Sequence, residues 1–186
     1  HNCLVGSEMC IRDSYYTYSL SELIVSLYFN LIYAYLFLSG VCDVVISVSA
    51  IIGIDVEENF YCPIKSTNLV EFWKSWHVTL ANAVKVTIFT PLFLYFRRKL
   101  RLKSQYYLTV PLTFLTFFLI GYFHFVDSRG WYLGLYHGFG VTICYVFNST
   151  FKNQEFYLKL KRSIPYKLVC FGITWTFIAF STLFFH

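Results

Sequence analysis

Long apolar blocks dominate the pattern of hydrophobic and polar positions along this chain. The first block runs from about Leu20 to Ile54, and three clearer blocks cover 105–125, 131–147 and 166–185. A helix that crosses a bilayer needs about 20 mostly apolar residues, so the blocks predict membrane-spanning helices. Because the first block is too long for one straight crossing, it predicts one long bent helix or two abutting helices, with Gly40 as the kink site.

The segment after the first block mixes polar and apolar positions. Polar residues and Pro63 predict a loop over 53–68. Next, an amphipathic helix is predicted over 69–80, lying in the membrane interface, with Asn68 as its N-cap and Glu71 completing a capping box. Its apolar face is formed by residues at helical spacing: Leu69, Phe72, Trp73, Trp76 and Leu80.

The stretch 82–96 is apolar but short for a crossing, and Lys85 and Pro91 interrupt it. We therefore expect a re-entrant or protein-buried segment there rather than a full span.

Composition narrows the class of protein. Of the 186 residues, 57% are hydrophobic and only 13% are charged, whereas an ordinary soluble domain is about 25% charged. A soluble domain is excluded, and the predicted fold is an all-α, polytopic integral membrane protein. The net charge of +5 is too small and too dispersed to indicate nucleic-acid binding.

Two basic segments predict the orientation. The segments 97–103 and 152–167 together hold ten of the fifteen lysines and arginines. Two predicted crossings separate them, so both lie on one side, which the positive-inside rule makes cytoplasmic. The turn at 127–130 is then external, and His124 lies near the outer end of its span.

The first fourteen residues have nothing in common with the rest of the chain. The stretch SEMCIRDS at 7–14 has the character of translated adapter sequence, so 1–14 is predicted to be a non-native leader. Residues 15–186 are predicted to be the C-terminal part of a multi-pass membrane domain, with its N-terminal half missing. The six cysteines form no CxxC pair and are interpreted as reduced and structural: Cys3, Cys10, Cys42, Cys62, Cys144 and Cys170.

Three histidines away from the chain ends are the candidates for chemistry. His124 ends an otherwise uncharged span, where an ionisable residue is a functional candidate, although it can instead bond a backbone carbonyl. His137 lies between Gly134 and Gly138, which favours close helix packing with the imidazole as an interhelical hydrogen-bonding group. His77 lies at the flank of the predicted amphipathic helix. The separations of the three fit no compact metal motif, so no metal is expected.

No GxSxG, Walker A, GxGxxG or HExxH string occurs in the sequence, which removes the commonest hydrolase, nucleotide-binding and metalloprotease interpretations. Group transfer that depends on histidine survives this elimination.

The order of motifs resembles the membrane-bound O-acyltransferase family. Bacterial members have an Asn-Phe-x-x-Pro loop, a Glu-Phe-Trp-x-x-Trp-His helix and two later histidines. This chain has NFYCP at 59–63, EFWKSWH at 71–77, GYFHF at 121–125 and LYHG at 135–138. The match covers about 28–185. The motif residues are most similar to those of the branch that transfers D-alanine to teichoic acids. Polysaccharide O-acetyltransferases of the alginate type are the second most similar group.

The resemblance implies a chemistry and a set of site residues. His124 corresponds to the family's catalytic histidine and His77 to the histidine that lines its tunnel, while Asn59, Trp73, Trp76 and His137 are the supporting candidates. An acyl group, D-alanyl or acetyl, would pass from a thioester to a hydroxyl of a cell-envelope polymer. The thioester, on coenzyme A or on the phosphopantetheine arm of a carrier protein, is a substrate, and no tightly bound cofactor is expected. The implied location is the bacterial plasma membrane.

Two departures from the family pattern keep other functions open. Where the family has Trp-His-Gly, this chain has Phe123, His124 and Phe125. Where the family has an Arg-Asp pair after the amphipathic helix, this chain has Lys85 and Val86. A catalytically inactive acyltransferase-like scaffold is therefore one alternative. A transporter or flippase is another, because Asn30, Asp43 and His137 lie within apolar sequence. With half of the tunnel missing, activity of this stretch alone is not expected.

Overall fold

The computed structural model describes residues 19–100, 104–125 and 127–185. These residues form α-helices, short turns of 3-10 helix and one π-helical stretch, joined by loops, and contain no β-strand. The fold is therefore all-α, as the sequence predicts. The predicted leader at 1–14, together with Cys3 and Cys10, lies outside the described residues.

Helix α1 spans Leu20–Ile51 without a break, so the first apolar block forms one helix and not two. Ser19 caps its start, and Glu22 completes the capping box by accepting from the Ser19 backbone N–H. A Cβ added at Gly40 would meet nothing within 4 Å, so no helix among the described residues packs closely there.

The loop after α1 is irregular, apart from a short 3-10 turn at Pro63–Lys65. Helix α2 then covers only Leu69–Trp73, with the Asn68 side chain capping the N–H of Glu71. The predicted cap is correct, but the Glu71 carboxylate accepts from the backbone N–H and hydroxyl of Thr67, so the predicted capping box is not formed.

The predicted interfacial helix over 69–80 is wrong. The chain leaves the helical path after Trp73 and starts a new helix at Val78. Phe72 is 1% exposed and Leu69 is 4% exposed, so α2 is a plug inside the bundle rather than a helix on its surface. Its partners in the core come from three helices: Leu27 and Leu31 from α1, Val141 from α5, and Ile178 and Ala179 from α7.

Helix α3 spans Val78–Leu100, which corrects the re-entrant segment predicted for 82–96. A π-helical stretch at Lys85–Phe89 replaces one turn, and Pro91 comes in the first turn of regular α-helix after it. The helix continues on both sides of the predicted segment and reaches 23 residues, which is long enough to cross a bilayer.

Helices α4, Tyr106–His124, and α5, Ser128–Phe151, form an antiparallel hairpin. Glycines allow their backbones to touch: a Cβ on Gly134 would lie 2.5 Å from the Phe118 carbonyl oxygen, and one on Gly138 would lie 3.1 Å from that of Phe114. This confirms the close packing predicted for the two glycines. At the far end of the hairpin Tyr106 stacks on Tyr145, so α5 accompanies α4 along its whole length.

The short helix α6, Glu155–Arg162, leads into α7, Ile164–Ser181, which ends in a 3-10 turn at Thr182–Phe185. Hydrogen bonds tie α7 to the bundle: the Tyr28 and Thr176 hydroxyls lie 2.9 Å apart, and the Tyr136 hydroxyl donates to the Phe177 carbonyl oxygen.

Within the described residues, four helices are long and apolar enough to cross a membrane: α1, α3, α4 and α7 with its terminal turn. Helix α5 is less apolar, but it runs beside α4 and buries its glycines and His137 against its neighbours. The chain is therefore a multi-pass membrane protein, with the hairpin placing 97–100 and 152–167 at the same end of the bundle.

Candidate active site

A cavity of about 260 Å³ brings together the three internal histidines. His77 comes from the turn between α2 and α3, His124 from the end of α4, and His137 from the middle of α5. Trp73 and Trp76 also line this cavity, which we call the histidine cavity. Six helices, α1 to α5 and α7, and the turn at His77 line the cavity, and it brings together histidines that lie up to 60 positions apart in the chain.

Asn59 fixes the orientation of His77 from the loop. Its side-chain oxygen Oδ1 accepts from the Thr79 backbone N–H at 3.1 Å and from the Thr79 hydroxyl at 2.8 Å. Since a backbone N–H can only donate, the atom that faces it must be the amide oxygen. The amide nitrogen Nδ2 then points to the Cys42 sulfur on α1, 3.1 Å away.

The same oxygen determines which nitrogen of His77 carries a proton. His77 Nδ1 lies 3.1 Å from Asn59 Oδ1, which has no hydrogen to donate. Nδ1 is therefore protonated in the neutral ring, and Nε2 is left with a lone pair.

The backbone of His77 is strained, with φ 48° and ψ 51°, a left-handed conformation that is uncommon outside glycine. Two hydrogen bonds hold the turn to the loop: Val78 N–H donates to the Asn59 carbonyl oxygen and Tyr61 N–H donates to that of Ser75. Such strain persists only where surrounding contacts impose it, and it is concentrated at functional sites.

Burial lowers the pKa of His77 below its ordinary value of 6.5, and the nearby His124 lowers it further. His77 is consequently neutral at pH 7, and its Nε2 lone pair is available as a hydrogen-bond acceptor.

His124 has the same tautomer for a different reason. Its Nδ1 lies 2.9 Å from the carbonyl oxygen of Ile120, one turn earlier in α4, and a carbonyl oxygen only accepts. Nδ1 therefore carries the proton and Nε2 is free to accept one. The predicted bond to a backbone carbonyl is therefore formed, and the ring also lines the cavity.

His137 differs from the other two histidines. Its side chain is 7% exposed, and its Nδ1 is fully buried without a hydrogen-bond partner in the described part of the chain. The predicted interhelical hydrogen bond is therefore not formed by this atom. The ring is held by aromatic neighbours instead, with ring centroids 5.1 Å from Trp73, 5.6 Å from Tyr136 and 5.8 Å from Phe177.

Trp76 supports the turn through ring contacts. It stacks on Phe72 with ring centroids 5.2 Å apart and meets Phe60 edge-on at 5.1 Å. Phe60 in turn stacks on His77. Phe60 of the loop thus packs with Phe72, Trp76 and His77 into one aromatic cluster.

A second cavity, of about 430 Å³, lies on the other side of His77. The two cavities share five lining residues: Trp73, His77, Leu80, Phe117 and Ile120. The rest of the second cavity lies nearer the start of α4, and Lys74 and Lys85 are part of its lining. The two cavities therefore lie at successive levels along α4, with His77 in the lining of both and the second cavity nearer the basic segments.

Sequence reasoning missed three groups that orient these histidines: Thr79, Cys42 and the Ile120 carbonyl oxygen. Thr79 directly follows the WHV of the motif, so its position was a usable signal. Nothing in the sequence marks Cys42, and a backbone carbonyl has no side-chain signature.

The cysteines in the described residues are free: Cys42, Cys62, Cys144 and Cys170. Over the same residues, no group of three His, Cys, Asp or Glu side chains is placed to hold a metal ion.

Two curated proteins are similar to most of this chain. A peptidoglycan O-acetyltransferase of Helicobacter pylori is 29% identical over 151 residues, which is 80% of this chain and 25% of that protein. A teichoic acid D-alanyltransferase of Bacillus subtilis is 29% identical over 147 residues, which is 75% of this chain and 37% of that protein. No protein-family model matches the chain.

The chain therefore spans between a quarter and about two fifths of the length of these relatives. Both are named as acyltransferases, one of O-acetyl groups and one of D-alanyl groups. The resemblance to O-acyltransferases, including the branch that transfers D-alanine, is thus confirmed.

Proposed function

We propose that this chain is the histidine-bearing part of a membrane O-acyltransferase that transfers an acyl group, D-alanyl or acetyl, from a thioester to a hydroxyl of a cell-envelope polymer. One observation carries the proposal: His77 and His124 line one cavity, and each has its Nδ1–H fixed by an acceptor, so that each Nε2 is free. The similarity to acyltransferases of peptidoglycan and teichoic acid supports the acceptor class.

In the proposed reaction His124 is the general base. A hydroxyl is a poor nucleophile at neutral pH, and a positioned imidazole contributes about 10²- to 10⁴-fold by removing its proton during attack. The hydroxyl oxygen forms a bond to the thioester carbonyl carbon as its proton moves to His124 Nε2. The tetrahedral intermediate then collapses, the carbon–sulfur bond breaks, and the departing sulfur takes the proton from His124. Ester and thiol are formed, and His124 is returned to its starting state.

The two cavities support an approach of donor and acceptor from opposite faces of the membrane. The second cavity is predominantly apolar and lies toward the basic segments, whereas His124 is near the end of α4 that leads to the external turn. A thioester donor would enter from the basic, cytoplasmic side of a bacterial plasma membrane. The exposed arginines and lysines at 97–99 are a docking surface for an acidic carrier protein in this proposal.

The test is His124→Ala in the full-length protein that contains this chain. Acyl incorporation into the envelope polymer is expected to fall by at least about 100-fold. Tyr122→Phe is the matched control, because Tyr122 is two residues away on α4 and does not line the histidine cavity. Undiminished incorporation in His124→Ala, with normal protein levels, would reject the proposal.

An inactive scaffold is the second candidate, and the two departures favour it. Phe125 replaces the glycine after the catalytic position, and Val86, where the family has an acid, is 68% exposed on the π-helical stretch of α3. Turnover of a thioester donor by the purified full-length protein separates the two functions. A scaffold binds its partner without releasing thiol from the donor.

A further inference from the structure

The three imidazoles of the histidine cavity do not present the same atom to it. His77 and His124 each place Nδ1 against an oxygen that can only accept, so each holds its proton there. In His137, by contrast, Nδ1 is the ring nitrogen that is sealed off, without a hydrogen-bond partner among the described residues. The proton of His137 must therefore be placed by a different argument.

Packing leaves no acceptor for a proton on Nδ1 of His137 within the described part of the chain. The rings of Trp73, Tyr136 and Phe177 surround the imidazole, and Trp73 and Tyr136 meet it nearly at right angles, at 88°. The Tyr136 hydroxyl is occupied elsewhere, because it donates to the Phe177 carbonyl oxygen. A buried N–H with no acceptor is costly, so the neutral ring keeps its proton on Nε2.

The same constraint keeps the ring neutral, because an imidazolium would also need an N–H on Nδ1. His137 lines the histidine cavity, and only its Nδ1 is both fully buried and unpaired. The polar group that this side chain offers to the cavity is therefore the Nε2–H. It is a donor, whereas His77 and His124 offer acceptors.

We infer that His137 is a neutral hydrogen-bond donor that binds the carbonyl oxygen of the acyl group and stabilises the oxyanion formed from it. The inference rests on the proposed acyl transfer. As the hydroxyl attacks, its proton goes to His124, and the electron pair of the carbonyl bond moves onto the oxygen that faces His137 Nε2–H. That hydrogen bond strengthens as the negative charge develops, and His137 itself neither gains nor loses a proton.

In this assignment the tautomer of each histidine determines its role in the reaction. A base must have a free lone pair, which His124 has, and an oxyanion donor must have an N–H that it does not give up, which His137 has. His77 is excluded as the donor because Asn59 already takes its only N–H. Neutral imidazole is known to act as an electrophile in enzymes that polarise a carbonyl.

The first test reads the tautomers without any turnover. The full-length protein is labelled with ¹⁵N-histidine and studied by NMR at pH 7, and each signal is assigned by comparison with His77→Gln, His124→Gln and His137→Gln. His137 is expected to show a protonated Nε2 and an unprotonated Nδ1, and the other two histidines the reverse. A protonated Nδ1 on His137 would overturn the inference, whether or not the protein is active.

The second test separates donation from packing. His137→Gln retains an N–H close to the position of Nε2, whereas His137→Phe fills the space without a donor. Loss of one oxyanion donor lowers kcat by about 10²- to 10³-fold, and we expect that loss for Phe, with less than about tenfold for Gln and a similar KM for the donor thioester. Tyr136→Phe, which alters the neighbouring ring but does not line the cavity, is the control for packing.

Equal losses of kcat in His137→Gln and His137→Phe would contradict the donor role. If the wild-type protein transfers no acyl group while His137 has the expected tautomer, the proposed function and the oxyanion role both fail. The assignment of the proton to Nε2 then remains valid. The two failures are therefore distinguishable.

Discussion

At the scale of single residues, Asn59 determines what His77 can do. Its one amide oxygen accepts three hydrogen bonds, from His77 Nδ1 and from the N–H and hydroxyl of Thr79. The loop thereby sets both the tautomer of His77 and its position relative to α3. A hydrogen bond to one ring nitrogen of a histidine commonly determines which nitrogen carries the proton and which is free to react.

We expect Asn59→Ala and Asn59→Asp to have different effects. Alanine removes the acceptor of three donors, His77 Nδ1–H and the N–H and hydroxyl of Thr79, which costs roughly 1–3 kcal/mol of stability and lowers activity. Aspartate keeps the acceptor, but its negative charge raises the pKa of His77, which burial otherwise holds below 6.5. Since the proposed site needs the free Nε2 of His77 as well as that of His124, protonation of His77 at higher pH should move the acid limb of the pH–rate profile of acyl transfer to higher pH in Asn59→Asp.

The wild-type profile and the thermal stability in detergent are the references for both variants. Asn82→Ala, on α3 and outside this network, is the control. An acid limb that stays in place in Asn59→Asp would show that the protonation of His77 does not control the rate.

Glu71 provides a second residue-scale prediction, concerning stability. Burial raises the pKa of this carboxyl, but hydrogen bonds from Thr67 and the charge of Lys161 outweigh it, and the pKa lies below the ordinary value of 4.5. A carboxyl with a lowered folded pKa stabilises the fold above its ordinary pKa, and this contribution is lost as the pH falls through the folded value.

Glu71→Gln is therefore expected to lower the Tm in detergent at pH 7, by a free energy of roughly 1 kcal/mol. The difference from wild type should shrink as the pH falls below 4.5 and vanish once Glu71 is protonated. Glu57→Gln, in the exposed loop, should have no such effect. A Tm difference that is constant from pH 7 to pH 3 would contradict the role of the charge.

At the scale of elements, the hairpin of α4 and α5 positions two of the three histidines. His124 and His137 lie on its two helices, and glycines hold the helices at backbone contact. Gly134 packs on the backbone of Phe118, where an added Cβ would lie 2.5 Å from the carbonyl oxygen and 2.9 Å from Cα. No flexible side chain is available to move aside.

Gly134→Ala is consequently expected to separate the hairpin and to abolish correct folding, measured as the yield of monodisperse protein in detergent. Gly172→Ala is the matched control, because a Cβ there would meet nothing within 4 Å. That substitution should be neutral, or should stabilise α7 by roughly 0.5–1 kcal/mol, since alanine favours helix. Equal yields of the two variants would show that the close approach at Gly134 is not essential.

The elements that sequence reasoning predicted correctly are those whose apolar blocks are continuous. The region 69–96 was misinterpreted because Leu69, Phe72, Trp73, Trp76 and Leu80 keep helical spacing across a break in the helix. The break is a left-handed residue, His77, with no glycine to mark it. Tertiary hydrogen bonds from the loop impose that conformation, and no local pattern encodes them.

The candidate site was predictable only as a set of residues. Asn59, Trp73, Trp76 and the three histidines were all identified from motifs, and the structure adds that the histidines share one cavity. Their separate roles were not accessible from the sequence. Those roles depend on which atom faces each ring nitrogen, and two of the three answers are an amide oxygen and a backbone carbonyl oxygen.

At the scale of the whole molecule, the topology relates the site to the two faces of the membrane. The hairpin returns the chain to its starting side, so 97–100 and 152–167 share one end of the bundle and 127–130 lies at the other. The positive-inside rule predicts that the first end is cytoplasmic. In that orientation His124 lies near the outer surface, and the second cavity lies between it and the cytoplasm.

This orientation predicts the accessibility of single cysteines introduced into a cysteine-free full-length protein. Ser104→Cys and Lys152→Cys, both exposed at the basic end, should react with a membrane-impermeant maleimide only after the cells are opened. Ser128→Cys, exposed at the start of α5, should react in intact cells, after any outer barrier has been removed. If Ser104→Cys and Ser128→Cys reacted from the same side, α4 would not cross the membrane. The proposed approach of donor and acceptor from opposite faces of the membrane would then be excluded. If the two labelling patterns were exchanged, the thioester donor would have to reach the second cavity from outside the cell, where neither coenzyme A nor a cytoplasmic carrier protein is present.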